Sequence, residues 1–148
     1  MDISKFKHKT NIKVRTFDVD AYGIVHNSVY LKYLETGRIE YRKNQGYKLL
    51  KNARFNDGLK MVVVNNTIDY RYFGFVDDNL ELYTRIKWIK NSSFCFEQII
   101  INPDTNKLIC EGRGVIVNLN QETNLSEKLP DKFIEEIKKY DELVEIIK

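Results

Sequence analysis

The sequence predicts an α+β fold, in which one antiparallel sheet of about five strands encloses a long central helix and a second helix follows at the C-terminus. Three observations predict it. Apolar residues recur at helical spacing over residues 30–41, residues 80–88 alternate with a period of two, and short turns separate the strands after the helix. Strands joined by short turns pair antiparallel, and a sheet that wraps around the helix would cover its apolar face.

The first strand is predicted over residues 11–17, after a polar arm of nine residues. Asp18, Asp20 and Gly23 end it, because short polar side chains and glycine favour turns. We therefore expect a loop with two carboxylates to lead directly into the central helix.

The central helix is predicted from Asn27 or Ser28, either of which suits the N-cap, to Gly46, which suits the position just past the C-terminus. Its apolar face holds Tyr30, Tyr33, Leu34, Gly37 and Tyr41. Its charged side chains are expected off that face: Lys32, Arg38, Glu40, Arg42 and Lys43. Residues 47–57 that follow are predicted as a short helix or an ordered loop.

Four further strands are predicted, over residues 61–70, 80–88, 94–102 and 107–119. Gly112 and Gly114 interrupt the last of them, which indicates a bulge or the close approach of another backbone. Residues 130–148 carry apolar side chains at helical spacing and are predicted as one amphipathic helix that packs on the sheet or on a neighbouring subunit.

Length and composition indicate a single domain over residues 1–148, with its core at about 11–120. A net charge of +3 excludes a general polycation for nucleic acid, and no segment reaches the ~20 apolar residues of a membrane-spanning helix. Cys95 and Cys110 have no metal-ligand spacing, and residues 1–14 lack the apolar core of a signal peptide. We expect a cytoplasmic protein whose cysteines are reduced.

The loop and helix start carry the pattern D-x-D-x-x-G-x-V-x-N-x-x-Y-x-x-x-x-E-x-x-R. It is formed here by Asp18, Asp20, Gly23, Val25, Asn27, Tyr30, Glu35 and Arg38. This pattern resembles the hotdog-fold acyl-CoA thioesterases of the 4-hydroxybenzoyl-CoA thioesterase family, and the likeness extends from about residue 11 to 133. The resemblance implies a hotdog fold and a homodimer or a tetramer built as a dimer of dimers, with active sites between subunits. It also implies hydrolysis of acyl-CoA or acyl carrier protein thioesters without a metal or cofactor.

Thioester hydrolysis needs a group that attacks the carbonyl or activates water, and donors that stabilise the oxyanion. By the family pattern Asp20 is the catalytic nucleophile or general base, and the backbone N–H at Asn27 polarises the carbonyl. Many relatives have a tyrosine and a histidine where this chain has Thr16 and Asn27. The Asn27 side chain is therefore expected to orient substrate or water, since an amide does not transfer a proton in this role.

The predicted substrate-binding residues are His26, Tyr30, Glu35, Val62, Val63, Lys90 and Ser92. The valines and the helix face would line an apolar acyl pocket, and Lys90 with Ser92 would meet the phosphates of CoA. Structural alternatives accompany several of these predictions. Tyr30 also suits the core, and Glu35 can form an ion pair with Arg38 on the helix surface or at an interface.

Two other functions fit the same pattern. A hydratase or dehydratase of this fold needs a catalytic histidine paired with a carboxylate, and neither His8 nor His26 has that context. A non-catalytic module that binds acyl thioesters is the other alternative. It would be favoured if Asp20 pointed away from the helix start or were buried and fully capped by backbone amides.

Overall fold

An antiparallel sheet packs against one long helix in the computed structural model, which describes residues 2–148. The elements are β1 (His8–Lys13), α1 (Asn27–Asn44), β2 (Lys60–Tyr70), β3 (Asn79–Ile89), β4 (Ser93–Asn102), β5 (Lys107–Leu119), α2 (Asp131–Tyr140) and β6 (Glu145–Ile146). The strand order is β1-β3-β4-β5-β2, and the short β6 pairs parallel with β3 beyond the end of β1. The predicted fold class is therefore confirmed, and β2 forms one edge of the sheet.

The four strands after α1 lie within one residue of their predicted bounds, whereas the predicted bounds of the first strand are wrong. Pairing with β3 begins at His8 and ends at Lys13, and Thr16–Asp18 form a turn of 3-10 helix. Asp18 explains this turn, because its carboxylate accepts the Arg15 N–H at 3.0 Å and its own N–H donates to the Arg15 carbonyl. A side chain that bonds to the nearby backbone competes here with the strand ladder.

Helix α1 begins one residue after His26, which is the N-cap instead of the predicted Asn27 or Ser28. The predicted apolar face is buried, and Gly46 follows the helix in a left-handed conformation, as predicted. Gly37 lets the helix approach the sheet, since a Cβ there would lie 2.5–2.9 Å from Leu82, Gln98 and Thr84. The close packing therefore depends on the absence of a side chain.

Two charged residues of α1 are buried, contrary to prediction. Arg42 forms an ion pair with Asp57, and its guanidinium lies 4.6–5.4 Å from the ring centres of Tyr47, Phe55 and Phe133. Arg38 is also buried, under β2 and β5. A helical period locates the apolar stripe, but it does not reveal that long cationic side chains at the border fold inward.

The C-terminal helix is shorter than predicted, because it ends at Tyr140 instead of continuing to residue 148. Asp141 then turns inward, where its carboxylate accepts the backbone N–H of Ile86 at 2.8 Å and the hydroxyl of Tyr41 at 2.5 Å. Residues Glu145–Ile146 pair with Trp88–Ile89. Sheet pairing and this buried carboxylate therefore end the helix, while the apolar stripe of α2 packs on the core as predicted.

Gly112 and Gly114 do not mark a bulge, since both pair in register with β2 and β4. Instead, the side chains of Leu34 and Arg38 from α1 approach Gly112 and Gly114 closely. Cys95 and Cys110 are buried free thiols. Within residues 2–148, no helix is long and apolar enough to cross a membrane.

Candidate active site

A tight hairpin presents the predicted catalytic aspartate. The Asp20 N–H donates to the Ile24 carbonyl at 2.9 Å, and the His26 N–H donates to the Asp18 carbonyl at 3.0 Å. Between them the Gly23 N–H closes a turn onto the Asp20 carbonyl at 3.0 Å, with Gly23 at a φ of +79°. Glycine adopts this left-handed conformation without steric cost, so the sequence places Asp20 at the hairpin tip directly before α1.

The hairpin is fixed to the sheet and to α1. The Val25 N–H donates to the Gly74 carbonyl at 2.9 Å, and the Gly74 N–H donates to the Tyr30 hydroxyl oxygen at 3.2 Å. From the next turn of the helix, the Tyr33 hydroxyl donates to the Asp18 carboxylate at 2.8 Å. Asp18 thus holds the loop, and the hairpin that carries Asp20 is tied both to α1 and to the connection that follows β2.

Both tyrosine hydroxyls remain protonated in this environment. Burial raises the pKa of Tyr30 to about 12, and burial together with the hydrogen bond to Asp18 raises the pKa of Tyr33 still further. Neither can act as a base near neutral pH. Their role in the site is to position the loop.

The Asp20 carboxylate is half-buried and keeps one oxygen free. Its Oδ1 accepts the Tyr22 N–H at 2.8 Å, and its Oδ2 has no hydrogen-bond partner among residues 2–148. It is neither fully buried nor fully capped by backbone amides. This is the arrangement that a carboxylate needs to accept a proton or to attack a carbonyl.

The start of α1 leaves one backbone donor available. His26 satisfies the next two amides, since its Nδ1 accepts the Ser28 N–H at 3.1 Å and its carbonyl accepts the Val29 N–H at 2.9 Å. The Asn27 N–H donates to no other residue of the described chain. A free N–H at the positive end of a helix is a ready donor for an oxyanion.

Apart from Glu35, the predicted site residues fall into two groups at opposite ends of α1. Asp20, His26, Asn27 and Tyr30 lie at its N-terminal end, where the Tyr70 hydroxyl donates to the Asn27 carbonyl at 3.1 Å. The second group lies near its C-terminal end: Val62, Val63, Lys90 and Ser92. At ~3.3 Å per residue, the seven steps along the strand from Val63 to Tyr70 span about 23 Å. A single chain therefore does not bring the two groups together.

Individual side chains of these groups differ in exposure and bonding. His26 is exposed, and its ring caps the helix. Val63 is exposed at the edge strand, opposite the core residue Ile116. The Lys90 ammonium lies 4.9 Å from the centre of the Trp88 ring, and Ser92 is half-buried. Glu35 is exposed at the middle of α1 and forms no ion pair with Arg38.

The sequence reasoning missed the aromatic surface beside the hairpin. Tyr70, Tyr72, Phe73 and Phe75 are each 44–54% exposed, and Tyr22 at the hairpin tip is 88% exposed. The sequence did indicate this surface through its run of aromatic residues from 70 to 75. The apolar–polar alternation of a strand does not account for so many large rings in a segment between two strands. Within residues 2–148, no three His, Cys, Asp or Glu side chains group as metal ligands.

The model of the thioesterase-like superfamily matches residues 14–137, which is most of the chain. The chain belongs to this family. Among its relatives, the acyl-CoA thioester hydrolase YbgC of Escherichia coli O6:H1 is 27% identical over 127 residues, covering 86% of this chain and 92% of its own length. The acyl-acyl carrier protein thioesterase ATL2 of Arabidopsis thaliana is 28% identical over 113 residues, covering 76% of this chain and 59% of its own length.

Solved structures agree with the family and the fold. A crystal structure of a thioesterase from Thermus thermophilus, complexed with coenzyme A and Zn, is 25% identical. It superposes with a TM-score of 0.78, covering 93% of this chain and 96% of that one. The predicted resemblance to the 4-hydroxybenzoyl-CoA thioesterase type is therefore confirmed.

Proposed function

We propose that this protein hydrolyses acyl-CoA thioesters to the free acid and CoA, with Asp20 as the nucleophile or general base. Two observations carry the proposal: Asp20 has a free carboxylate oxygen in the loop directly before α1, and Asn27 has a free N–H at the helix start. One group supplies the base and the other the oxyanion donor. The names of the relatives, among them an acyl-CoA thioester hydrolase, support the same reaction.

In the proposed reaction the thioester carbonyl oxygen accepts the Asn27 N–H, where the helix dipole favours the negative charge that develops. As general base, Asp20 takes a proton from water while the water oxygen bonds to the carbonyl carbon. The tetrahedral intermediate then collapses, the C–S bond breaks, and the CoA thiolate takes the proton back from Asp20. As nucleophile, Asp20 would instead attack the carbonyl carbon, and the C–S bond would break to release the CoA thiolate. The anhydride formed between Asp20 and the acyl group is then cleaved by water, which regenerates the carboxylate and releases the free acid.

We further propose that the working unit is a homodimer in which the β2 edges pair antiparallel. An antiparallel pair places the Val63 end of one strand beside the Tyr70 end of the other. It would thus unite the two groups of predicted site residues, each from a different chain. β2 is an edge strand whose Val63 and Val64 are 50% and 57% exposed, and such an edge is a template for a second chain.

Acyl carrier protein thioesters are the second candidate substrate. The similarity to ATL2, whose name states this activity, favours including them. The same chemistry at Asp20 would serve both, because the two substrates share the acyl thioester and differ in its carrier.

The proposal is tested by thiol release from a panel of short, aromatic and long-chain acyl-CoAs and acyl carrier proteins. Asp20→Asn keeps the shape of the side chain and removes the base, so we expect turnover to fall by about 10³-fold or more. Asp77→Asn is the matched control. Asp77 is exposed at a φ of +68°, a conformation that asparagine tolerates, and we expect unchanged turnover there.

Turnover that survives in a folded Asp20→Asn protein would overturn the assigned site. No thiol release by the wild-type protein from any member of the panel would instead favour the non-catalytic binding module.

A further inference from the structure

Arg38 is a buried cation without a carboxylate partner in its own chain. Only 8% of the residue is exposed, and none of the ion pairs within residues 2–148 includes it. Its Nε donates to the Gln98 side-chain oxygen at 2.9 Å and its Nη2 to the Asn66 side-chain oxygen at 3.0 Å. Both acceptors are neutral amides, so no carboxylate bonds to the guanidinium, and a buried cation without a bonded counter-charge is costly.

The surroundings hold the guanidinium in this place. Gln98 is fully buried, and its own amide is fixed by donating to the Leu34 carbonyl at 2.9 Å and to the Thr84 hydroxyl at 3.0 Å. Gly114 leaves the space, since a Cβ there would lie 2.3–2.7 Å from the guanidinium. An arginine at a helix border normally extends its head group to water. Here it is directed instead toward Asn66 on the edge strand.

The position of Arg38 coincides with the centre of the proposed dimer. Asn66 lies one residue from the midpoint of β2, and the midpoint of the 18-residue α1 falls between Glu35 and Thr36. A twofold axis through the middle of paired β2 strands would bring these central segments next to their own copies. In such an isologous contact, if residue i of one chain touches residue j of the other, then j touches i as well.

Glu35 is the complementary charge. It is exposed one turn before Arg38 on the same helix, and it has no cationic partner within residues 2–148. Burial lowers the pKa of Arg38, and the charge of Glu35 is the largest influence that opposes this shift. Within one chain the guanidinium is turned away to Gln98 and Asn66, so the two residues form no ion pair.

We infer that Arg38 of each chain pairs with Glu35 of a second copy, which forms two reciprocal ion pairs at the twofold axis. This inference rests on the dimer of the proposed function. It explains why a buried guanidinium is held without a counter-charge in a single chain, and it assigns Glu35 to the subunit contact instead of to the substrate.

The test uses two charge-reversed chains, Glu35→Arg and Arg38→Glu, whose dimer dissociation constants are measured by sedimentation. Each homodimer would place like charges in both contacts, so we expect its dissociation constant to rise at least tenfold. A one-to-one mixture of the two chains restores an opposite-charge pair at both contacts. We therefore expect mixed dimers to form with nearly the wild-type dissociation constant, a result that a purely structural role of Arg38 would not produce.

Two further variants complete the test. Glu40→Gln on the same helix removes a carboxylate that pairs with Lys43 on the surface, and it should leave the dissociation constant unchanged. Where circular dichroism shows that Arg38→Glu does not fold, Arg38→Gln replaces it, and its mixed dimer with Glu35→Arg keeps one of the two ion pairs.

The outcomes separate this inference from the proposed function. A wild-type dimer that Glu35→Arg leaves intact would overturn the ion pairs alone, and a wild-type protein that is monomeric at every concentration would overturn the dimer with them. Mixed dimers that form without any thioesterase activity in the wild type would support the ion pairs and contradict the proposed reaction.

Discussion

At the level of single residues, the site depends on side chains that hold the aspartate loop as much as on the aspartate itself. Asp20 keeps a free oxygen because the backbone around it is already bonded to Ile24 and to Gly23. Behind the loop, the Tyr33 hydroxyl binds Asp18. A loop fixed on two sides loses little freedom when substrate binds, so the geometry at Asp20 is preorganised.

Tyr33→Phe tests this positioning. It removes the 2.8 Å hydrogen bond to Asp18 and nothing that touches the reacting atoms. We expect a loss of ~1 kcal/mol in the free energy of unfolding, the usual net value of one such bond, and a several-fold fall in kcat. Thermal melting and thiol release measure the two effects. Tyr83→Phe on β3, whose hydroxyl makes only a long 3.4 Å contact with Glu81, is the control, and equal behaviour of the two variants would contradict the role of Tyr33.

At the level of elements, the fold is determined by how closely α1 approaches the sheet. Gly37, Gly112 and Gly114 are the points of approach, and in each case a Cβ would meet side chains from the opposing element. The N-terminal half of α1 packs with β3 and β5 in one cluster around Leu34, and its C-terminal half packs with α2 in another around Tyr41. The helix axis is therefore fixed at both ends.

Gly37→Ala tests the approach. In an isolated helix alanine is favoured over glycine by ~1 kcal/mol, but here its Cβ would lie 2.5–2.9 Å from three side chains. Because Gln98 and Leu82 are themselves fully buried, we expect the overpacking cost of ~1–3 kcal/mol to exceed that gain. Chemical denaturation measures the result. Thr36→Ala, on the exposed side of the same helix, should change stability by no more than ~0.5 kcal/mol, and a stabilised Gly37→Ala would contradict the close packing.

The C-terminal segment is a second element whose position depends on one buried group, Asp141. Burial raises the pKa of its carboxyl above the usual value, although the hydrogen bonds from Ile86 and Tyr41 oppose the shift. The folded state thus binds the proton more tightly than the unfolded state does. The ionised carboxylate costs stability at neutral pH, and this cost disappears as the pH falls below the folded-state pKa.

Asp141→Asn keeps an oxygen that can accept from both Ile86 and Tyr41 and carries no charge. We expect it to melt above the wild type at neutral pH and to lose this advantage as the pH falls toward the usual aspartate pKa, ~4. Asp141→Ala, in contrast, leaves two buried donors unpaired, and we expect it to be less stable at every pH by ~1–3 kcal/mol per donor. Melting temperatures over a pH series provide the measurement. An Asp141→Asn advantage that grows with falling pH would contradict the assigned shift.

At the level of the whole molecule, the arrangement of strands separates the residues predicted to act together. Lys90 and Ser92 sit at the turn between β3 and β4, at the same end of the sheet as the start of β2. Tyr70, at the other end of β2, bonds to Asn27 at the helix start that follows the Asp20 loop. The proposed dimer is the assembly in which both groups belong to one site. Each site would then need Asp20 from one chain and the Val63 region from the other.

Mixing two inactive chains tests this composite site. Asp20→Asn removes the base, and Val63→Trp fills the proposed acyl pocket from the strand side. In a mixed dimer one site carries both changes and the other carries neither. Random reassociation of equal amounts makes half of the dimers mixed, so we expect about a quarter of the wild-type activity to return. Activity that stays absent, while a tag on one chain co-purifies the other, would show that each site takes both groups from the same chain and would contradict the composite site.

The sequence by itself determined the order of the elements, the five main strands, the central helix and the family, because hydrophobic periodicity and turn residues are local signals. The D-x-D motif likewise identified the loop that carries Asp20. Only the tertiary structure decided where the first strand and the last helix end. The Asp18 carboxylate bonds to the backbone after the first strand, and the contacts of Asp141 and β6 with β3 end the last helix.

Tertiary structure also decided that Arg38 and Arg42 are buried, because their side chains are long enough to lie either in water or in the core. It separated the predicted site residues by the length of a strand, because strand order is a long-range property that spacing along the chain does not encode. The tertiary structure was also needed to show that one Asp20 oxygen and the Asn27 N–H are free, because this follows from the hydrogen bonds that the neighbouring groups form.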